Sequence, residues 1–239
     1  GEGQFPPISA VYSLPMPRET FDQELAELGA LLNEEARLCQ RSLDGALEAL
    51  IAPESGAADA VVAGDDGVDR VYLQVEHGVE SLLARQSPVA VDLRFVLAVI
   101  HVNQNLERIG DQCVNIAKLS RLFVQQPLTP ELLEDFTVMG NQASGMIATA
   151  MASFTQRDLE QAESLVELDQ VINERNHGLA RRIIEGGFDE STIEMPLRAM
   201  LIARAIERIG DHAVDIGEQT AYLVTAAFRE FTDASHPVA

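Results

Sequence analysis

The pentapeptide Glu-Arg-Ile-Gly-Asp occurs twice in this chain, at 107–111 and at 207–211. The likeness runs further: Leu106 to Lys118 reads LERIGDQCVNIAK, and Ile206 to Glu218 reads IERIGDHAVDIGE. So specific a string repeated at an offset of 100 residues points to an internal duplication. The fold is therefore expected to consist of two similar halves, each the length of a small domain.

The hydrophobic period says what each half is made of. Phe95, Val99, Val102, Leu106, Ile109, Cys113, Ile116, Ser120 and Phe123 recur in steps of four and three, a heptad seam on one long helix. Phe21, Leu25, Leu28, Leu32, Cys39, Leu43, Ala46 and Leu50 form a second seam over 19–51, with one polar skip at Glu35. A third helix is expected over 58–86, weakened by Gly64, Gly67 and Gly78 and ended by Ser87-Pro88. The second half repeats the plan. One helix covers 131–154, with Leu132, Phe136, Met139, Ala143, Met146 and Ala150 on its seam. A second, capped by Asp158, runs to about 185 and stops at Gly186-Gly187. A third starts at Ser191 or Thr192, with Ala199, Ile202, Ile206, Ile209, Ala213, Ile216, Thr220 and Leu223 inward. No alternating β-branched run appears between turn signals. Long helices joined by short loops lie antiparallel, so the expected fold is all-α: six long antiparallel helices in two repeated three-helix bundles, 18–126 and 127–230. Residues 1–17 are expected to be a disordered leader or an added segment, and 231–239 a tail. The first fifteen residues lack the basic and apolar regions of a secretory signal.

Charge narrows the function. Seventeen basic residues face 38 acidic ones, a net charge of −21. Such a surface repels phosphate backbones and anionic lipid heads, and attracts cations and basic partners. Direct phosphate binding is disfavoured for the same reason, unless a bound metal reverses the local charge. No apolar run reaches the roughly 18 residues of a membrane span. Cys39 and Cys113 both lie in apolar seams, as reduced core thiols of a cytoplasmic protein would.

The duplicated string places a carboxylate pair one helical turn apart: Glu107 with Asp111, and Glu207 with Asp211. At 100° per residue both pairs lie well off the seam, so they face away from the main core. Asn103 and Asn115 extend the first row, and Asp215 extends the second. A second pair precedes each string, Asp65 with Asp69 and Asp169 with Asn173. Matching these pairs needs a four-residue gap relative to the pentapeptides. A polar row opposite a seam is ordinarily a solvated face. Here its spelling is the same in both halves, down to the mid-helix Gly110 and Gly210, which suggest close approach by a neighbouring helix. Four oxygen-bearing side chains converging from two helices suit a hard divalent or trivalent cation. Arg108 and Arg208 are placed to offset part of that charge.

The doubled ERIGD with a following x-x-x-N/D, together with GDDGVD at 64–69, ARQSPVAVDLR at 84–94 and RETFDQEL at 18–25, resembles the PhoU family, accessory proteins of the phosphate-specific transport system. The resemblance covers about 18–228. It implies paired three-helix bundles and surface acidic pairs that bind metal clusters, iron in some members; manganese, magnesium or zinc remain alternatives for this chain. Carried over residue by residue, the metal-binding sets are Asp65, Asp69, Glu107 and Asp111, and Asp169, Asn173, Glu207 and Asp211. Asn173 stands where the pattern more often has Asp. The resemblance further implies a negative regulator of phosphate uptake and signalling that links a phosphate-sensing histidine kinase to the ATPase subunit of the phosphate transporter. The expected assembly is a homodimer, and no catalytic residue is assigned.

Two other readings are weighed beside it. One is a metal-free helical adaptor whose acidic rows dock partners. The other is a di-iron carboxylate enzyme, which needs inward-facing Glu-x-x-His motifs from two helices. Glu174-x-x-His177 is the single such motif here.

Overall fold

A computed structural model describes residues 18–125, 127–185 and 193–231. Every regular element among them is a helix: α1 Arg18–Ile51, α2 Ala57–Arg85, α3 Ala90–Ser120, α4 Pro130–Gln156, α5 Leu159–Glu163, α6 Leu165–Glu185 and α7 Glu194–Thr225. The connections carry the expected turn chemistry. Gly56, at φ 82°, supplies the left-handed residue before α2. Thr129 caps α4, its hydroxyl accepting from the Leu132 amide, and Pro130 occupies the first turn. The expected leader and nearly all of the tail, the Gly186-Gly187 stop and the Ser191/Thr192 start lie outside the described residues.

One expected helix is broken. The segment from Asp158 to Glu185 divides at Ser164 into the short α5 and the longer α6. Asp158 caps as expected, its Oδ1 accepting from the Gln161 amide. The Ser164 hydroxyl, however, donates to the Gln161 carbonyl at 2.7 Å, a local alternative to regular helix bonding. The break seats Ala162 and Leu165 against Gly217 of α7, where an added Cβ would lie 3.1 Å from the Ala162 carbonyl.

The heptad seams form the core. Leu32, Cys39 and Leu43 of α1, Val102, Leu106 and Ile109 of α3, Met139 and Met146 of α4, and Ile206 and Ile209 of α7 are all fully buried. α1, α2 and α3 pack on one another, as do α4, α6 and α7. Among the described residues the two sets share one apolar cluster, and α3 against α7 is the most extensive pairing of helices. These two helices run antiparallel: Asn105 meets His212 at 3.0 Å, while Arg198, near the start of α7, reaches the Leu122 carbonyl just past the end of α3. No helix of the described residues is long and apolar enough to cross a membrane.

Candidate cation site

The mid-helix glycines set the distance between the helices that carry the acidic pairs. A Cβ on Gly110 would stand 3.2 Å from Val68 Cγ1, so α2 lies close on α3. A Cβ on Gly210 would collide with Asp169 Oδ1 and come 3.2 Å from Ile172 Cδ1. Val68 and Ile172 are thus counterparts, which places Asp65 opposite Asp169 and Asp69 opposite Asn173. This is the register with the four-residue gap.

In the first half, Asp65 and Glu107 are half-buried, and Asp69 and Asp111 are exposed. The four act on one another. Burial pushes the Glu107 carboxyl up, and the charges of Asp111, Asp69 and Asp65 add to it, with Arg108 opposing. Burial likewise raises Asp65, helped by Asp69 and Asp111 and opposed by Lys118. A carboxylate crowded by like charges resists ionisation, and a cation among them relieves that cost. Even so, among the described residues no three Asp, Glu, His or Cys side chains close on one point as the ligands of a single ion would.

The second half differs from expectation in burial. Asp169 and Glu207 are 1% and 6% exposed and Asn173 is buried, while Asp211 is half-buried. The cause is α7, which packs on α3, α4, α5 and α6 and so leaves little of its surface open. These carboxylates have donors. Asn173 donates to Asp169 Oδ2 at 2.6 Å, Asn176 donates to Glu207 Oε2 at 2.8 Å, and Arg204 forms an ion pair with Glu207. The neutralising arginine is Arg204, one turn before Glu207, rather than Arg208. Asp135 of α4, buried and paired with Arg175 and Arg182, ties α6 to α4 nearby.

The interior holds a further acid. Glu35, the polar skip of the α1 seam, is 0% exposed, and neither oxygen has a hydrogen-bond partner among the described residues. Burial, then the charges of Glu107 and Glu76, push its carboxyl up to about 9. Asn103, expected on the outer row, is instead fully buried, donating to the Tyr72 carbonyl and to Glu76 Oε1, each at 3.2 Å. Its periodic position gave no sign of this, because α2 covers that part of α3. The skip at Glu35 was the sequence signal for the buried acid. Glu174 and His177 both face solvent, so they cannot form the inward-facing motif of a di-iron bundle.

Comparison with known proteins agrees with this architecture. The PhoU domain model matches twice, over 32–120 and 136–220. The phosphate-specific transport system accessory protein PhoU homolog 1 of Thermotoga maritima is 30% identical over 207 residues, covering 86% of this chain and 89% of that protein. A PhoU homolog from Burkholderia is 30% identical over 219 residues, covering 90% and 91%. The crystal structure of PhoU from Pseudomonas aeruginosa superposes with a TM-score of 0.81 at 27% identity, covering 87% of this chain and all of that one. That of the phosphate transport system regulatory protein PhoU from Streptococcus pneumoniae gives 0.78 at 26% identity. With two matched domains, relatives aligned over most of their length and a shared helical architecture, this chain belongs to the PhoU family.

Proposed function

We propose that this protein is a cation-binding regulatory adaptor of phosphate uptake. In this reading it acts on the cytoplasmic side as a negative regulator, joining the ATPase subunit of a phosphate transporter to a phosphate-sensing histidine kinase, and works as a homodimer. The names of its relatives support the link to phosphate transport. The observation that carries the cation is the mutual crowding of Asp65, Asp69, Glu107 and Asp111 on the outer face of α2 and α3.

The donor set fits a hard cation in its chemistry, since it is all oxygen and strongly acidic. A small divalent ion keeps several waters and needs only one or two carboxylates from the protein, which accords with side chains that do not converge on one point. When bound, the cation supplies charge neutralisation. Glu107 and Asp65 would hold it from the half-buried inner edge, and Asp69 and Asp111 from the rim. The acidic face they form is the surface offered to a partner, and its charge determines which partner can approach. The lack of convergence also favours a second reading, a metal-free adaptor that docks a basic surface directly on these rows.

Cells lacking the chain are expected to take up phosphate without restraint when phosphate is abundant. The wild-type chain should restore restraint, and Glu107→Ala/Asp111→Ala should not. Restraint by the double variant at wild-type level would contradict both readings, whereas restraint by a metal-free wild type would favour the metal-free adaptor.

A further inference from the structure

Beside the acidic pairs, α3 and α7 carry matching exposed stripes. Leu97 and Arg108 are exposed on α3, and Leu197 and Arg208 are exposed at the same places of the repeat on α7. Leu93 and Ile193, another matched pair, are exposed as well. A single exposed leucine is ordinary on a folded surface. Exposed apolar residues at matching places in both halves mark a surface rather than a scatter.

The packing of α3 on α7 decides where these stripes lie. Two equivalent helices that run antiparallel side by side are related by a two-fold axis normal to their common plane. Both stripes therefore open on the same face of the molecule. Asn105 meets His212, the counterpart of Gln112, so the axis passes midway between 105 and 112, beside Arg108 and Arg208. Turning about 100° per residue from Asn105, Arg108 lies about 60° from the contact with α7 and Asp111 about 120°. The arginines thus stand nearest the axis, and the acidic rows lie outside them, towards α2 and α6. Glu207 does not occupy Arg208, because it pairs with Arg204. Leu97 and Leu197 lie on opposite sides of the axis, roughly 30–35 Å apart at about 1.5 Å per residue. Arg198, next to Leu197, reaches the Leu122 carbonyl, so the exposed Leu122 and Leu201 widen the second apolar end.

The face therefore has two apolar ends and, between them, two arginines at a two-fold axis. That pattern is complementary to a partner with a two-fold axis of its own. A second copy of this chain fits poorly, since face to face it would set four arginines together.

We propose that this face seats one chain across the two-fold axis of a homodimeric partner, each partner subunit receiving one apolar end and acidic groups at the partner's axis facing Arg108 and Arg208. The inference rests on the adaptor reading above, in which the partner is the ATPase subunit of the phosphate transporter in its paired state. It adds the surface used and the ratio, one chain to two ATPase subunits. The adaptor's own dimer contact then lies elsewhere on its surface.

The test is titration of the full-length chain, by calorimetry and sedimentation, against the purified ATPase subunit trapped as its ATP-bound dimer. The variants are Leu97→Gln, Leu197→Gln and Arg108→Gln/Arg208→Gln, with melting temperatures measured beside them. The exposed arginine pair keeps the test decisive where a leucine variant unfolds. The expected result is one chain per two ATPase subunits, with affinity reduced by at least about tenfold in each variant. Two chains per ATPase dimer, wild-type affinity in the variants, or a loss confined to one of the two leucines would overturn the inference and leave the adaptor reading standing. Self-association of the chain that Leu97→Gln and Leu197→Gln abolish would also overturn it, by placing a second copy on this face. No binding of the ATPase dimer by the wild type would overturn the partner named in the adaptor reading, and the inference with it.

Discussion

Asp169 of α6 lies against Gly210 of α7, at a point where any Cβ would collide with its Oδ1. The acidic pair and the glycine of the duplicated string are therefore one packing unit: the glycine makes room for the carboxylate. In the first half the same position faces Val68, whose Cγ1 would stand 3.2 Å from an added Cβ, a close approach that a small shift of the side chain relieves.

The two glycines should respond differently to alanine. Alanine gains about 1 kcal/mol over glycine in a helix interior. At Gly110 that gain should roughly offset the small shift asked of Val68, leaving stability within about 1 kcal/mol of wild type. At Gly210 the substitution displaces a buried carboxylate from its bond with Asn173, and should destabilise by roughly 1–3 kcal/mol. Urea melts of the two variants measure the difference.

Glu35→Met should stabilise the cation-free protein. The folded state holds this carboxyl near 9 against an ordinary 4.5, so folding retains a proton that the unfolded chain releases. The native carboxyl thus carries no ionisation penalty below pH 4.5, and that penalty grows as pH rises towards 9. At pH 7 removing it should gain on the order of 3 kcal/mol. Melts in chelator from pH 4 to 9 should show the gain widening with pH. A gain independent of pH would mean that packing alone is responsible.

Glu218 adds a second pH-dependent contact. Burial raises its carboxyl to about 7, against the opposing hydrogen bond from the Phe231 amide at 2.6 Å, with Asp215 and Glu230 adding to the rise. Its folded value again exceeds the ordinary 4.5, so its contribution is fully present below pH 4.5 and is lost as pH rises through 7. Glu218→Gln should flatten that part of the stability profile by roughly 1–3 kcal/mol. Chemical denaturation at pH 5 and pH 8 checks it.

Replacing Glu107 and Asp111 by alanine removes two charges from a crowded row. The cation-free fold should be unharmed or slightly more stable, because repulsion with Asp65 and Asp69 falls. A thermal melt in chelator reads the direction. A marked loss of stability would show that these side chains serve packing.

The helices and their inward faces were legible because the apolar period is a local property. Every predicted seam residue of α7 is buried, and on α3 only Phe95 remains partly open. The duplicated string likewise located the acidic pairs, and the gapped register follows from the contacts of Val68 and Ile172. What a period cannot show is the neighbour on the far side of a helix. Glu207 and Glu107 occupy the same place in the repeat, yet α7 is hemmed in by more helices, so Glu207 is buried and its partner Arg204 matters. Asn103 was misplaced for the same reason. The break at Ser164, where Ala162 and Leu165 close on Gly217 of α7, is a matter of packing that a pattern of apolar residues does not register.

The most direct test of the account is elemental analysis of the untagged chain, purified without a metal-affinity step, beside the Glu107→Ala/Asp111→Ala variant. The account predicts a bound divalent or trivalent metal in the wild type and its loss from a variant that remains folded. A metal-free wild type that still restrains phosphate uptake would contradict it, and would leave the acidic face as a docking surface alone.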